Sequence, residues 1–380
     1  MKHCYIYICI GLLSFLVGCI SAFEPKDVKD TAGILVVEGM ILESTSTQIK
    51  LSRTQKLSST DAFEKVNSAT VRILSDDGSI VAVADFLGDG IYQVQENLTF
   101  VSGLKYAVDI DINGKHYQSA FVTPLRTPEI EDVSWTVAED GKEVDIYVST
   151  SSTDENLKYF RWKYDEDWEI RSNLLAELRW NPETNAVESL NPRGPKNTYY
   201  CWNRAKSTTL MLGNTAKLTE NKIKDKRILN LKAGGSRFSY LYSILVRQYS
   251  VPVDAYNYFE NLQSNIENTG SLFAPQPTEM VGNITCLSDP EEPVIGFICA
   301  GSETTYRIFI DATEVPKMKE FIDCTDERDF SHPQEAYLQG YGIMYFNEVT
   351  YVYVGATLRC LDCTLRGDKE KPDFWPNDHQ

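Results

Sequence analysis

Histidine is scarce in this chain, with four residues in 380: His3, His116, His332 and His379. None sits at metal-site spacing from another, and His-Glu-x-x-His, Gly-x-Ser-x-Gly and glycine-rich phosphate-loop patterns are all missing. The common signatures of zinc hydrolases, serine hydrolases and nucleotide-binding proteins are thereby absent. Long apolar runs are equally few. After the first, which ends at Cys19, none approaches the roughly 20 residues of a membrane-spanning helix. Basic charge is also short, since 37 Lys and Arg stand against 54 Asp and Glu for a net −17. Such a balance repels nucleic acid and lipid phosphates and argues against both as direct partners.

What is present begins at the amino terminus. Lys2 precedes an apolar run that closes on Leu16-Val17-Gly18-Cys19. This is the layout of a bacterial lipoprotein signal over residues 1–18, too short to span a bilayer of about 30 Å. Small Gly18 opens the peptide bond to a signal peptidase, and Cys19 supplies the thiol for a diacylglycerol. Residues 19–32 then form a lipidated tether. The alternative is an ordinary cut after Ser21-Ala22, which would discard Cys19. Position 20 is Ile rather than an inner-membrane-retaining acid, so the outer membrane is expected. Glu24 and Asp27 form a sparse acidic patch, and the cell surface is favoured over the periplasmic face.

With Cys4 and Cys9 in the signal and Cys19 lipidated, six cysteines remain: Cys201, Cys286, Cys299, Cys324, Cys360 and Cys363. An even number in an oxidising envelope suggests up to three disulfides, whose pairing the sequence leaves open. Cys286 and Cys299 flank the turn-rich 288–293 segment. In a symmetric hairpin they would stand about 13 Å apart along the strand, so a bond between them is not assumed. Cys360-Leu361-Asp362-Cys363 lacks both a strand-to-helix setting and a second close pair. It points to structural disulfides rather than to redox or zinc chemistry.

Residues 33–125 read as a small β-sandwich of immunoglobulin or fibronectin type. Hairpin signals stand at Asp76-Asp77-Gly78 and Asn113-Gly114, and Tyr106, Val108, Ile110 and Ile112 alternate with polar residues. That alternation puts Asp109 and Asp111 on a solvated face. The prolines of 124–128 suggest a linker. Residues 126–380 form a second, larger β-rich domain that carries the disulfides, one clear helix after Pro252 and a long loop insertion at 181–198. The helix carries Tyr256, Phe259, Leu262 and Ile266 at helical spacing. Phe160, Trp162 and Tyr164 share one strand face. Large aromatics default to the core, whereas exposure would make them a platform for sugar rings.

The carboxylates of Asp165-Glu166-Asp167-Trp168-Glu169 are weak evidence for a glycosidase in so acidic a chain. Asp323, Asp326, Glu327 and Asp329 lack the loop of an EF-hand. No metal site, cofactor or catalytic residue is nominated.

Several segments together resemble one family of bacterial proteins. They are Leu35-Val36-Val37-Glu38-Gly39-Met40-Ile41 with Leu51-Ser52-Arg53-Thr54, the aromatic segment from Tyr159 to Glu169, Cys201-Trp202, and Thr269-Gly270-Ser271-Leu272-Phe273 with Gly282-Asn283-Ile284. Cys360-Leu361-Asp362-Cys363 and Lys371-Pro372-Asp373-Phe374-Trp375 complete the set. In this order they resemble the domain-of-unknown-function 4249 family of Bacteroidota outer-membrane lipoproteins, often encoded beside TonB-dependent transporters. The resemblance implies a lipid-anchored, non-catalytic accessory that binds or assembles with an outer-membrane TonB-dependent nutrient transporter. It carries over no catalytic residues. The other readings are a surface glycan-binding module or adhesin, with a glycan or peptide ligand, and a lipid-anchored hydrolase.

Overall fold

The computed structural model describes residues 33–55, 63–191, 194–196, 198–268, 281–315 and 323–377. Cys19 with its signal and tether, the 269–273 motif, His3 and His379 lie outside the described residues. Among those described, no helix is long and apolar enough to cross a membrane.

The chain is mainly β, as its alternating patterns predict. Eight strands come first: β1 Leu35–Gly39, β2 Ile41–Glu43, β3 Gln48–Arg53, β4 Thr70–Ser75, β5 Ile80–Gly88, β6 Ile91–Gln93, β7 Tyr106–Ile112 and β8 Lys115–Ser119. The middle holds β9 Ile130–Val137, β10 Glu143–Ser151, β11 Tyr159–Arg171, β12 Leu178–Asn181, β13 Ala186–Ser189, β14 Tyr200–Lys206, β15 Met211–Asn214, β16 Lys222–Lys232 and β17 Leu241–Ser250. Helix α1 Val253–Asn268 follows Pro252, and then come β18 Ile284–Cys286, β19 Val294–Ile295 and β20 Ala300–Asp311. The last part contains β21 Glu327–Phe330, β22 Tyr341–Asn347 and β23 Val352–Thr357, with short helices α2 Pro333–Leu338 and α3 Leu358–Leu361.

The expected first sandwich takes the form of one curled nine-stranded sheet, ordered β18-β8-β7-β4-β5-β6-β3-β1-β19. Strand β5 turns the corner, pairing with β4 through Ile80–Ala84 and with β6 through Asp85–Gly88. Asn113 and Gly114, both at positive φ, make the two-residue turn from β7 to β8. The sheet encloses Leu35, Ile49, Ile73, Tyr106, Ile110 and Tyr117.

Division of the chain at residue 125 does not describe these sheets. Strands β18 and β19 return from the far half to close both edges of the first sheet, β18 antiparallel on β8 and β19 parallel on β1. In the other direction, β2 crosses to pair in parallel with β20. Nor is 124–128 a free linker, because Leu125 and Thr127 exchange backbone and side-chain hydrogen bonds with Ala300 and Ser302.

The second core lies between the three-stranded sheet β16-β10-β9 and the six-stranded sheet β14-β11-β17-β20-β2, to which β15 adds beside β11. Phe160, Trp162 and Tyr164 are buried there, so they are core and offer no platform for a sugar. Gly213 sits where any Cβ would come within 2.9 Å of the Trp162 ring. Gln248 is fully buried and ties the layers together. Its Oε1 accepts Trp162 Nε1 at 2.8 Å, and its Nε2 donates to Pro128 O (2.8 Å) and Thr150 Oγ1 (3.0 Å).

Three further expectations are corrected. The first half of the 181–198 insertion is a hairpin, β12 pairing with β13, in which Asn181 Oδ1 accepts the amides of Glu183 (2.9 Å) and Thr184 (3.3 Å), whereas its described residues beyond Ser189 form no regular element. Its asparagines are turn formers between strands too short to show a period. Asp109 is not solvated: it is 4% exposed, with Arg72 Nη1 at 2.8 Å and His116 Nε2 and Gln118 also bonded to it. Cross-strand pairing supplied what the alternation could not, since Arg72 on β4 lies opposite Asp109 on β7. On α1, Tyr256 and Phe259 are buried but Ile266 is 63% exposed, because the packed face is confined to the helix's first turns.

Candidate functional site

The alternation in β11 that buries Phe160, Trp162 and Tyr164 sends Arg161, Lys163, Asp165 and Asp167 to the other face of the six-stranded sheet. Strand register then assembles a charged ladder. Tyr249 and Glu303 lie in the row of Arg161, Arg247 in that of Lys163, Lys206 and Arg307 in that of Asp165, and Arg204 in that of Asp167. Beside it runs the carboxy-terminal segment 370–374, and between the two lies a pocket of about 440 Å3.

The charges on this face are interlocked. Arg247 Nη2 lies 2.8 Å from Asp165 Oδ2, and its Nη1 donates to Glu303 Oε1 at 2.7 Å. Glu303 Oε2 accepts Tyr249 Oη at 2.5 Å. Burial pushes the Tyr249 hydroxyl far up from its usual pKa, and the charge of Glu303 adds to it, so this phenol stays protonated. Asp167 meets Arg204 Nε at 3.4 Å and Arg307 Nη1 at 3.5 Å. Burial raises the Asp167 pKa, with the two arginines opposing the shift. The Arg307 guanidinium also donates to Ser243 Oγ (2.9 Å) and lies 3.4 Å from the centre of the Phe374 ring. Arg204 Nη2 reaches Glu370 O at 3.3 Å, which holds the tail at the pocket's rim.

Glu166 points the opposite way, into the core, where it accepts Arg237 Nε at 2.8 Å and Tyr242 Oη at 2.9 Å. Arg237 in turn covers the Trp168 ring at 4.5 Å. Glu169 is held by Arg171 Nε at 2.5 Å. Each carboxylate of the 165–169 run therefore has an arginine partner, and neighbours alternate between two faces. Charge-assisted pairs of this kind fix geometry and suit recognition more than proton transfer.

The remaining candidates do not gather here. Cys201 is bonded to Cys363 and Cys324 to Cys360, both with Cα atoms 5.8 Å apart. Cys360 and Cys363 thus serve two separate structural bridges. Cys286 and Cys299 are free and buried in different clusters, so the described residues hold two disulfides. Asp326 is engaged by Arg328 and Tyr341, and Asp323 by Thr325. Among the described residues no three His, Cys, Asp or Glu side chains are arranged to hold a metal. His332 caps α2.

Arg204, Arg237, Arg247 and Arg307 were not singled out from sequence. The available signal, the alternation of charge in 161–167 and 303–307 out of phase with the aromatics, covers only Arg307 of these four.

A family model described as a domain of unknown function, DUF4249, matches residues 21–307, well over half of the chain. The chain belongs to the DUF4249 family. Within that DUF4249 match lie the whole of β11, β14 and β17 and Arg307, whereas both tail motifs, 360–363 and 371–375, lie beyond it. No curated protein matches the chain.

Proposed function

We propose that this DUF4249 protein is a lipid-anchored accessory of an outer-membrane TonB-dependent nutrient transporter, held by acyl chains on Cys19 at the outward-facing side, and that it binds rather than catalyses. The observation that carries the binding role is the charged sheet face, whose arginines and carboxylates are already paired across four strands. A preorganised polar surface loses little freedom on meeting a partner, and complementary charges there set register and on-rate. Two or more acyl chains hold a protein firmly in a membrane, where one is marginal. Anchored in the same plane, the protein meets its transporter at high effective concentration, so modest affinity suffices.

Purification of the tagged protein from native membranes in mild detergent tests the reading. An outer-membrane barrel should co-purify with the wild type and be depleted in an Arg204→Glu/Lys206→Glu variant, both positions being exposed on the face. Recovery at native expression without any barrel protein would overturn it. Cys19→Ala should release the protein from membranes that lack the transporter.

A further inference from the structure

We propose that the pocket between the β12–β13 hairpin and β22 is a binding site for a small apolar or aromatic carboxylate. The cavity is about 220 Å3, below the roughly 300–1,000 Å3 of drug-sized sites, so it fits one ring or a short acyl chain. Leu190, Ile343 and Leu361 form its floor, and Trp180 and Tyr341 its walls. The floor is rigid. Leu361 lies between Cys360 and Cys363, and each of these cysteines is bonded to a different part of the chain. A preformed apolar cavity avoids the ordering cost of closing around its ligand.

The rim supplies the charge. Arg179 Nη2 and Lys196 Nζ both reach Glu188 Oε2 at 3.1 Å, while Asn181 Nδ2 donates to Glu188 Oε1 at 2.7 Å. These three donors, Asn181 foremost, hold the Glu188 pKa down to about 2, so it stays ionised. Two cations thus share one carboxylate, and Arg179 spends only one of its five N–H groups on it. Asp362, the one acid among the described residues that lines the cavity itself, accepts Thr364 N (2.9 Å) and lies within electrostatic reach of Lys369. A ligand with its ring in the cavity would place an anionic end against Arg179 and Lys196, where bidentate pairing is available.

The proposal is independent of the transporter reading, and its test involves no membrane partner. Ligand-observed NMR and calorimetry on the purified mature protein would use phenylacetate as the probe and 2-phenylethanol as its neutral counterpart. Phenylacetate should saturate with a Kd on the order of 1 mM or tighter, and the alcohol should bind about tenfold more weakly. Arg179→Gln/Lys196→Gln should erase that difference, and Leu358→Trp, at the exposed mouth, should abolish binding of both. No saturation by phenylacetate up to roughly 10 mM, equal affinity of the wild type for both probes, or unchanged binding in L358W would each overturn the proposal.

Discussion

Lys163 stands on the charged face next to Arg161 and opposite Arg247, and no carboxylate among the described residues forms an ion pair with it. Desolvation pushes its pKa down to about 8, with Arg161 adding to the effect. The residue is nonetheless exposed, which limits the energetic consequence and leaves the amine within reach of reagents. At pH 8 about half of it is neutral, against under about 1% for an ordinary lysine. Acetic anhydride at pH 8, followed by peptide mass mapping, should therefore modify Lys163 ahead of the other lysines. The sign for stability follows from the depressed folded-state value. Below pH 8 both states carry the proton and the cost of crowding is fully present. Between pH 8 and about 10.4 the unfolded state binds more protons, so stability rises with pH. Lys163→Met should raise the unfolding free energy obtained from urea titration at pH 7 by under about 1 kcal/mol after solvent screening, with the gain gone near pH 10.5. At this scale the sequence conveys identity and alternation but not sidedness. Phe160, Trp162 and Tyr164 could be assigned to one face from spacing alone. Only the packing of β9 and β10 against that face decides that it is the inner one.

Among elements, the part built from β12, β13, α2 and β21–β23 shows most clearly how covalent bonds substitute for core. Its clusters are small, Ala176, Leu190, Met344, Val354, Ala356 and Leu361 in one and Phe330, Ala336 and Ile343 in the other. Two disulfides anchor it, Cys201–Cys363 across a separation of 162 residues and Cys324–Cys360 across 36. In the chain-entropy account the first restrains the unfolded state by about 5 kcal/mol and the second by about 4 kcal/mol. Cys201→Ala/Cys363→Ala should consequently lower the denaturation midpoint more than Cys324→Ala/Cys360→Ala. An equal or reversed order would mean that the larger loop carries native strain or residual unfolded structure that offsets its greater length. That Cys360 and Cys363 are structural is expected from the lack of a strand-to-helix setting, yet β23 runs directly into α3, which carries Cys360; the two bridges themselves show the role. Their pairing was not legible, because sequence carries no record of which distant strand a cysteine meets. The same blindness hid the hairpin that ends at Ser189 inside the 181–198 loop: strands of four residues give too few alternations to be seen against asparagines that serve as turn formers.

For the whole molecule, the two β units are connected by exchange of strands rather than by a hinge. Strands β1 and β2 are separated by Met40 alone, yet β1 belongs to the curled sheet and β2 to the six-stranded one. Strands β19 and β20 repeat that arrangement 250-odd residues later, pairing in parallel with β1 and β2 respectively. A break read from two prolines near 125 could not reveal this, since parallel partners distant in sequence leave no local mark. The consequence is testable on a fragment. Residues 33–125 alone would lose Ile284, Cys286, Ile298 and Ala300 from the first core, all nearly or fully buried in the intact chain. At roughly 1.5–3 kcal/mol for each large apolar side chain, the loss is on the order of 5 kcal/mol, comparable with the whole 5–15 kcal/mol stability of a typical domain. The fragment would also bare β8 and β1 as open edges, which invite intermolecular pairing. It should aggregate or unfold without a cooperative transition, and a synthetic peptide of residues 281–302 added in trans should restore a dispersed NMR spectrum. If 33–125 instead unfolds cooperatively by itself, β18 and β19 are only a covering on a self-sufficient sheet.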